Sequence, residues 1–390
     1  MHRRPPSTNG LLAKVINRNL FMSSESISYY FRKMQDVKLP EGMLDPYGIF
    51  EEAEPKRRVL AENPFKLGDD DVFQLLGLID KKIVGTVLLM PTMLQLDGKP
   101  CQSLIGHGLS VQEECRGKGI GSQLTDKRLD FSRTKSLLIC AASAMQLPIL
   151  KRLGANVFYL PRMILLRRSF PVLENKIGAV GAKIVSPLAD LVFGLQQCWL
   201  KRASHRILSR GFTLKELDEV SHEVEHIIAA NNDRFREHHT VEWFNWIKNN
   251  NLVEDPSLKK HFYMVYDSNK RPVGFFMTRE RFYKQASHRG YKDVTMGSVL
   301  EWGTADNAVL TDNELCLMAL MSFSSAVDAV ELCCCNEEMA AWFKKKGLVR
   351  VGDGNVVIRY RPESELAAID GIGDARNWRL RPAMGDNGLS

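Results

Sequence analysis

Arg116-Gly117-Lys118-Gly119-Ile120-Gly121 stands between an apolar stretch, Ser103–Val111, and a helical one, Ser122–Phe131. A strand, a glycine-rich turn and a helix start together collect backbone N–H groups around an anion. Glycines let the backbone approach a pyrophosphate with no Cβ in the way. Arg116 and Lys118 add positive charge at the same place, which a ligand-free turn would not need. The six residues read as a phosphate cradle at a helix N-terminus.

Two familiar cradles are excluded by the residues themselves. A nucleotide-hydrolase loop requires Lys-Ser or Lys-Thr after its glycines, and none follows here. A dinucleotide site wants G-x-G-x-x-G and an acid closing the next strand. This chain has R-x-x-G-x-G, and its next strand candidate, Ser136–Ala141, ends without an acid. The pattern resembles motif A of the GNAT superfamily of N-acetyltransferases, in which [QR]-x-x-G-x-[GA] binds the pyrophosphate of acetyl-CoA. The preceding strand, the following helix, a further strand and Leu147–Gly154 come in that family's order, over roughly residues 70–166.

The resemblance implies an acyl donor, acetyl-CoA, with no metal. Its pyrophosphate would lie at Arg116, Gly117, Lys118, Gly119, Ile120, Gly121 and Ser122, and its pantetheine along Leu109, Ser110 and Val111. In the family, backbone N–H groups at a bulge in that strand polarise the thioester carbonyl, a task for fixed dipoles rather than special side chains. The acceptor amine must also lose a proton. His107 is the candidate base, because imidazole titrates near neutrality and Gly106 and Gly108 leave room around it. Strand alternation puts it on one face with Ile105 and Leu109.

The family's usual acid, a Tyr four residues before the Gly closing the later helix, is missing. Leu150 stands there, and Phe343 at the corresponding place further on. Tyr159 or Ser143 could substitute, or the thiolate could leave unaided, since a thiol's pKa is already ~8.5. Cys115 and Cys140 flank the cradle without an evident His or Asn partner and read as structural.

At 390 residues the chain exceeds one typical core and suggests two domains. With 44% hydrophobic and 25% charged residues it is expected to fold. The formal charge of +7 is concentrated: Arg162–Arg210 holds nine Lys or Arg against Glu174 and Asp190. No aromatic-interleaved basic stripe accompanies it, so no nucleic-acid partner is expected. Ile177–Leu195 is apolar but interrupted by Lys183, Pro187 and Asp190, which suggests packing at a domain junction or peripheral membrane contact through 177–200. Eight cysteines, including Cys333-Cys334-Cys335, form no C-x-x-C pair and suit a reduced protein. No secretory leader is apparent, and the expected location is cytoplasmic.

A weak internal repeat appears between the halves. Asn63-Pro64, a strand, a turn and Ile83-Val84-Gly85 correspond to Asp255-Pro256, His261–Tyr266, Asp267–Lys270 and Pro272-Val273-Gly274. Val299–Gly303 stands where the central strand belongs, and Asp328–Cys333 and Asn336–Gly347 match the later strand and helix. No R-x-x-G-x-G lies between Thr304 and Glu314, where Asp306 would oppose a phosphate. The expected fold is α/β (α+β) with two GNAT-like domains, each a mixed, mostly antiparallel central sheet flanked by helices. The expected map is a mobile N-terminus (1–20), a GNAT domain with the cradle (21–168), basic amphipathic connecting helices (169–210), a degenerate GNAT-like domain (211–362) and a mobile tail (363–390). A helix is expected at Ser26–Phe31. The expected function is an acyl-CoA-dependent N-acyltransferase passing acetyl to an unidentified amine by direct attack. The alternatives are a longer acyl or aminoacyl donor, or a non-catalytic CoA-binding regulator; nothing in the sequence fixes the oligomeric state.

Overall fold

A computed structural model describes residues 27–132, 136–140, 142–143, 145–230, 233–284, 293–383 and 389. The expected mobile segment 1–20 lies outside them. In the first half, β1 (Ser28–Lys33), β2 (Val72–Ile79), β3 (Lys82–Leu96) and β4 (Lys99–Val111) pair antiparallel in sequence order. Asp80-Lys81 and Asp97-Gly98 take left-handed pairs (φ 48° and 63°, 47° and 78°), the turn geometry that matches the twist of the strands they join.

Ser28–Phe31 belongs to a strand, not to the expected helix. Tyr29 and Phe31 pack in one apolar cluster and Tyr30 in another, the two-residue alternation of a strand covered on both faces. Pairing with the edge of β2 decides the matter for a segment too short to declare itself. Between β1 and β2 lie helices α1 (Ile49–Glu52) and α2 (Glu54–Ala61). After β4 come α3 (Ile120–Lys127), a 3-10 turn to Phe131, β5 (Ser136–Cys140), α4 (Gln146–Arg152) and β6 (Asn156–Leu166).

Helix α5 (Phe170–Leu208) joins the halves and breaks at Gly178, whose φ of 75° and ψ of 165° are not helical. Beyond it follow β7 (Thr213–Leu217), α6 (Glu223–Ala230), β8 (Phe235–Glu237) and α7 (Val241–Asn249). Then come β9 (Lys259–Tyr266), β10 (Pro272–Tyr283), β11 (Val294–Thr304), α8 (Asp312–Ser322), β12 (Ala329–Cys333), α9 (Glu337–Lys345) and β13 (Val349–Tyr360). The second half repeats the pairing of the first: β9, β10 and β11 antiparallel, then β12 parallel to β11, as β5 is to β4.

The two halves form one continuous sheet, in the order β1-β2-β3-β4-β5-β13-β6-β12-β11-β10-β9-β7. The centre of that order is an exchange. β13, from the second half, runs antiparallel beside β5, while β6, from the first, runs antiparallel beside β12. The exchanged strands also pair with each other. Each half is therefore closed by a strand of the other, and β8 adds a further link by pairing with the far end of β3.

Buried charge fastens the exchange. Arg359 of β13 reaches Asp126 on α3 and also donates to the Thr125 carbonyl, and Arg361 holds the same carboxylate at 3.0 Å. Burial alone would raise the Asp126 carboxyl, but hydrogen bonds from the two arginines outweigh it and hold it below its ordinary value. On the other side Arg162 of β6 donates to Glu331 of β12 at 2.7 Å.

The largest apolar cluster spans both halves, from Phe73 and Ile105 to Phe235, Trp243 and Phe275. It also takes in Leu366, Ile372, Trp378, Leu380 and Leu389, so the described residues of the expected mobile tail are packed. The Trp378 indole donates to the Ile372 carbonyl, and the Arg379 N–H to the Phe235 carbonyl. Apolar rings and satisfied backbone groups together hold the tail in this core.

Candidate active site

Strand β4 carries a bulge at its C-terminal end. Thr86 faces Ser110 and Leu88 faces His107, so Gly108 and Leu109 together oppose Val87. Gly108 sits at φ 62°, a conformation that favours glycine at the first position of such a bulge. The bulge shifts the alternation, which corrects the expected common face. Leu109 and Val111 pack beside α3 with Leu75 and Ile120. His107, directly opposite Leu88, shares the other face with Ile105.

Beyond Leu104 and Ile105 no pairing between β4 and β5 is described, while β5 pairs with β13 along its whole length on its other edge. The two parallel strands therefore have parted before the bulge is reached. Leu109, Ser110 and Val111 line one side of that opening, and their chain leads through a 3-10 turn, Glu113–Cys115, to the cradle.

The cradle has the conformation its glycines suggest. Gly117 and Gly119 lie at φ 80° and 79°, and Gly119 precedes α3 with no side chain capping the helix. The first N–H groups of a helix have no partner within it. Gly121 differs, for it is helical and a Cβ there would meet Val111 and Leu109 at 3.7 and 3.9 Å, an ordinary contact. Arg116 folds back to donate to the Val111 carbonyl at 3.1 Å, and Lys118 is exposed. Arg152, which the sequence reading passed over, approaches Ser122 Oγ at 3.4 Å from the end of α4 and adds a cation at the same helix start. Only the fold brings it there.

The other candidates scatter. Leu150 is fully buried among apolar neighbours, while Tyr159 is exposed with the Lys151 ammonium 5.7 Å from its ring. Ser143 is exposed, and Cys115 leans on the cluster around Ile120. The Cys140 side chain lies outside the described residues. Cys334 is buried, and Cys333 and Cys335 are half-buried at the end of β12. Among the described residues no group of His, Cys, Asp and Glu could hold a metal ion. A groove of about 700 Å³ opens between the β3–β4 turn and α6. Gln95, on its wall, is seven strand residues from Leu88, roughly 23 Å along β3 from the bulge.

In the second half the same places are occupied by the protein. Strand β11 has its own bulge at Leu300, opposite Met277 and Thr278. The C-terminal segment runs along it: Ala383 N–H donates to the Leu300 carbonyl at 2.7 Å and Arg379 to the Trp302 carbonyl at 2.6 Å. Between them Arg381 stacks over the Trp302 ring, 4.2 Å from its centroid, and pairs with Asp312 in the first turn of α8 at 3.0 Å. Helix α8 is closed by a capping box, in which Thr311 Oγ accepts from Glu314 N–H and the Glu314 carboxylate from Thr311 N–H. Asp306, expected to repel a phosphate, turns its carboxylate to Ala308 N–H within its own loop.

Residues 39–146 match the acetyltransferase (GNAT) family model. This part of the chain is a GNAT domain. By sequence no curated protein matches. Among solved structures, N-myristoyltransferase of Saccharomyces cerevisiae with bound myristoyl-CoA superposes with a TM-score of 0.52 at 12% identity, over 86% of this chain and 79% of that one. An Enterococcus faecalis V583 protein described as a probable N-acyltransferase gives a TM-score of 0.50 at 10% identity, over 86% and 73%. At such identities the likeness shows the fold alone. The GNAT domain therefore supplies the class, an acyltransferase, and it contains β4, its bulge and the cradle.

Proposed function

We propose that the chain is an acyl-CoA-dependent N-acyltransferase whose reaction takes place in the first half, with acetyl-CoA as donor and an amine as acceptor. The observation that carries this reading is the uncapped, glycine-lined start of α3 beside the parted ends of β4 and β5. The pyrophosphate would rest on Gly117–Ser122, with Arg116, Lys118 and Arg152 neutralising it. The pantetheine would follow Leu109–Val111, and N–H groups at the bulge would polarise the thioester carbonyl. His107 would take the proton from the attacking amine. The tetrahedral centre then collapses with loss of the CoA thiolate, for which no side chain need supply a proton first.

A second reading keeps the site and lengthens the acyl chain. It is supported by the tandem fold shared with a myristoyltransferase. Calorimetry with acetyl-CoA and myristoyl-CoA, followed by free-thiol release over a panel of amines, separates the readings. Tighter binding and turnover with acetyl-CoA are expected. Preference for the long chain would replace the donor, and thiol release absent with every amine would leave a CoA-binding regulator. His107→Ala should bind the donor normally and lose most turnover; unchanged turnover would remove His107 from the mechanism.

A further inference from the structure

Helix α5 carries its polarity inside out. Ala182, Ser186, Leu200, Ser204 and Ile207 are buried, and Gln196 and Gln197 bond to the Lys346 and Arg167 carbonyls. The outward face is apolar. Val180, Ile184, Leu188, Leu191, Leu195 and Trp199 recur at three- and four-residue steps and stay between 47% and 76% exposed. That is one continuous stripe, roughly 29 Å long at 1.5 Å per residue. A surface helix bathed only in water would carry its polar side chains there.

The stripe changes character at its end. Trp199 is followed, on the same face, by the exposed Arg202 and Arg206, while Lys183 and Lys201 flank it. The Lys346 ammonium sits 4.6 Å from the Trp199 ring centroid. The only acid between 179 and 208 is Asp190, which accepts from the Ser169 N–H. Apolar side chains, then an interfacial indole, then unopposed cations form the order that meets acyl chains and anionic headgroups.

We propose that the outer face of α5 docks the protein flat on an anionic lipid bilayer. Ile177–Leu208 is apolar and long enough to cross a membrane. One side of it, however, is fastened to the protein through Ser186, Asp190, Gln196, Gln197 and Leu200, so it is not offered to lipid all round. A second copy of the chain would bring the same cations and no acids to this face, whereas phosphatidylserine supplies the missing charge.

The test is flotation of the full chain with vesicles of phosphatidylcholine alone or mixed with phosphatidylserine. Binding to the mixed vesicles is expected, weakened by salt and released by alkaline carbonate. Leu191→Glu should lower partitioning about tenfold or more, with the melting temperature and acetyl-CoA affinity unchanged. Arg202→Glu with Arg206→Glu should erase the preference for phosphatidylserine, an arm that does not depend on the apolar substitution. Absence of flotation would overturn the proposal. So would retention after carbonate, which means spanning, or a dimer in sedimentation equilibrium that Leu191→Glu dissociates.

Discussion

The two halves offer the same opening and treat it in opposite ways. In the first, β4 and β5 part beside a bulge and α3 begins on glycines with no cap. In the second, β11 and β12 part beside a bulge, but the C-terminal segment occupies the gap and α8 begins on a capping box. A helix start and a bulge expose N–H and C=O groups that must find partners. The second half satisfies them from its own chain. The first leaves them open, and under the proposed function a ligand of matching polarity would take them; the contrast would then explain a silent second half better than a single repelling acid at Asp306.

The comparison breaks most forcefully at Arg381. Its guanidinium is buried against Trp302, between Asp312 and the buried Glu301. Arg381→Ala should lower the unfolding free energy by about 3–5 kcal/mol, because it breaks the ion pair with Asp312 and empties the space over the Trp302 ring. Urea denaturation reads the loss, and acetyl-CoA should still bind at one site per chain. Two sites in the variant would mean that the tail alone closes the second half.

Gly119→Asp attacks the open side. It places a carboxylate where the pyrophosphate would lie, at a left-handed position that Asp can occupy for about 1 kcal/mol. Acetyl-CoA affinity should fall at least about a hundredfold, near 2.7 kcal/mol, in calorimetry. An unchanged affinity would put the donor elsewhere.

Thr311→Ala is the milder counterpart. It should cost about 1 kcal/mol of stability through loss of the cap and leave acetyl-CoA binding as it was. The smallest effect is on the acid side of the stability profile. Asp126 has a folded pKa below its unfolded value, so its contribution is complete above about pH 4 and disappears as pH falls through the folded pKa. Asp126→Asn should flatten that acid limb in denaturation curves at successive pH values; an unaltered slope would show that the Arg359–Asp126 clamp adds nothing.

Much of the first half was legible. Asp80-Lys81 and Asp97-Gly98 announced their hairpins, and the spacing from Arg116 to Gly121 announced a helix start, because such features depend on residues a few positions apart. The repeat in the second half was legible through the same turns and strand lengths. Ser28–Phe31 reads as a helix in isolation, because so short a run takes its conformation from its partner, β2. Simple alternation places His107 and Leu109 on one face, because a bulge is a property of two strands in register that alternation in one strand cannot disclose.

The sequence by itself determined the glycine-lined start of α3, the strand–turn punctuation and the apolar run of α5, all set by local stereochemistry and side-chain polarity. Tertiary structure alone decided that β13 and β6 change places, since either apolar strand satisfies the pattern beside β5 or β12. It also decided that residues 379–383 fill the second opening and that the apolar face of α5 looks outward. Each depends on which surfaces meet at long range, where the choice is made by total burial and by the pairing of polar groups left over.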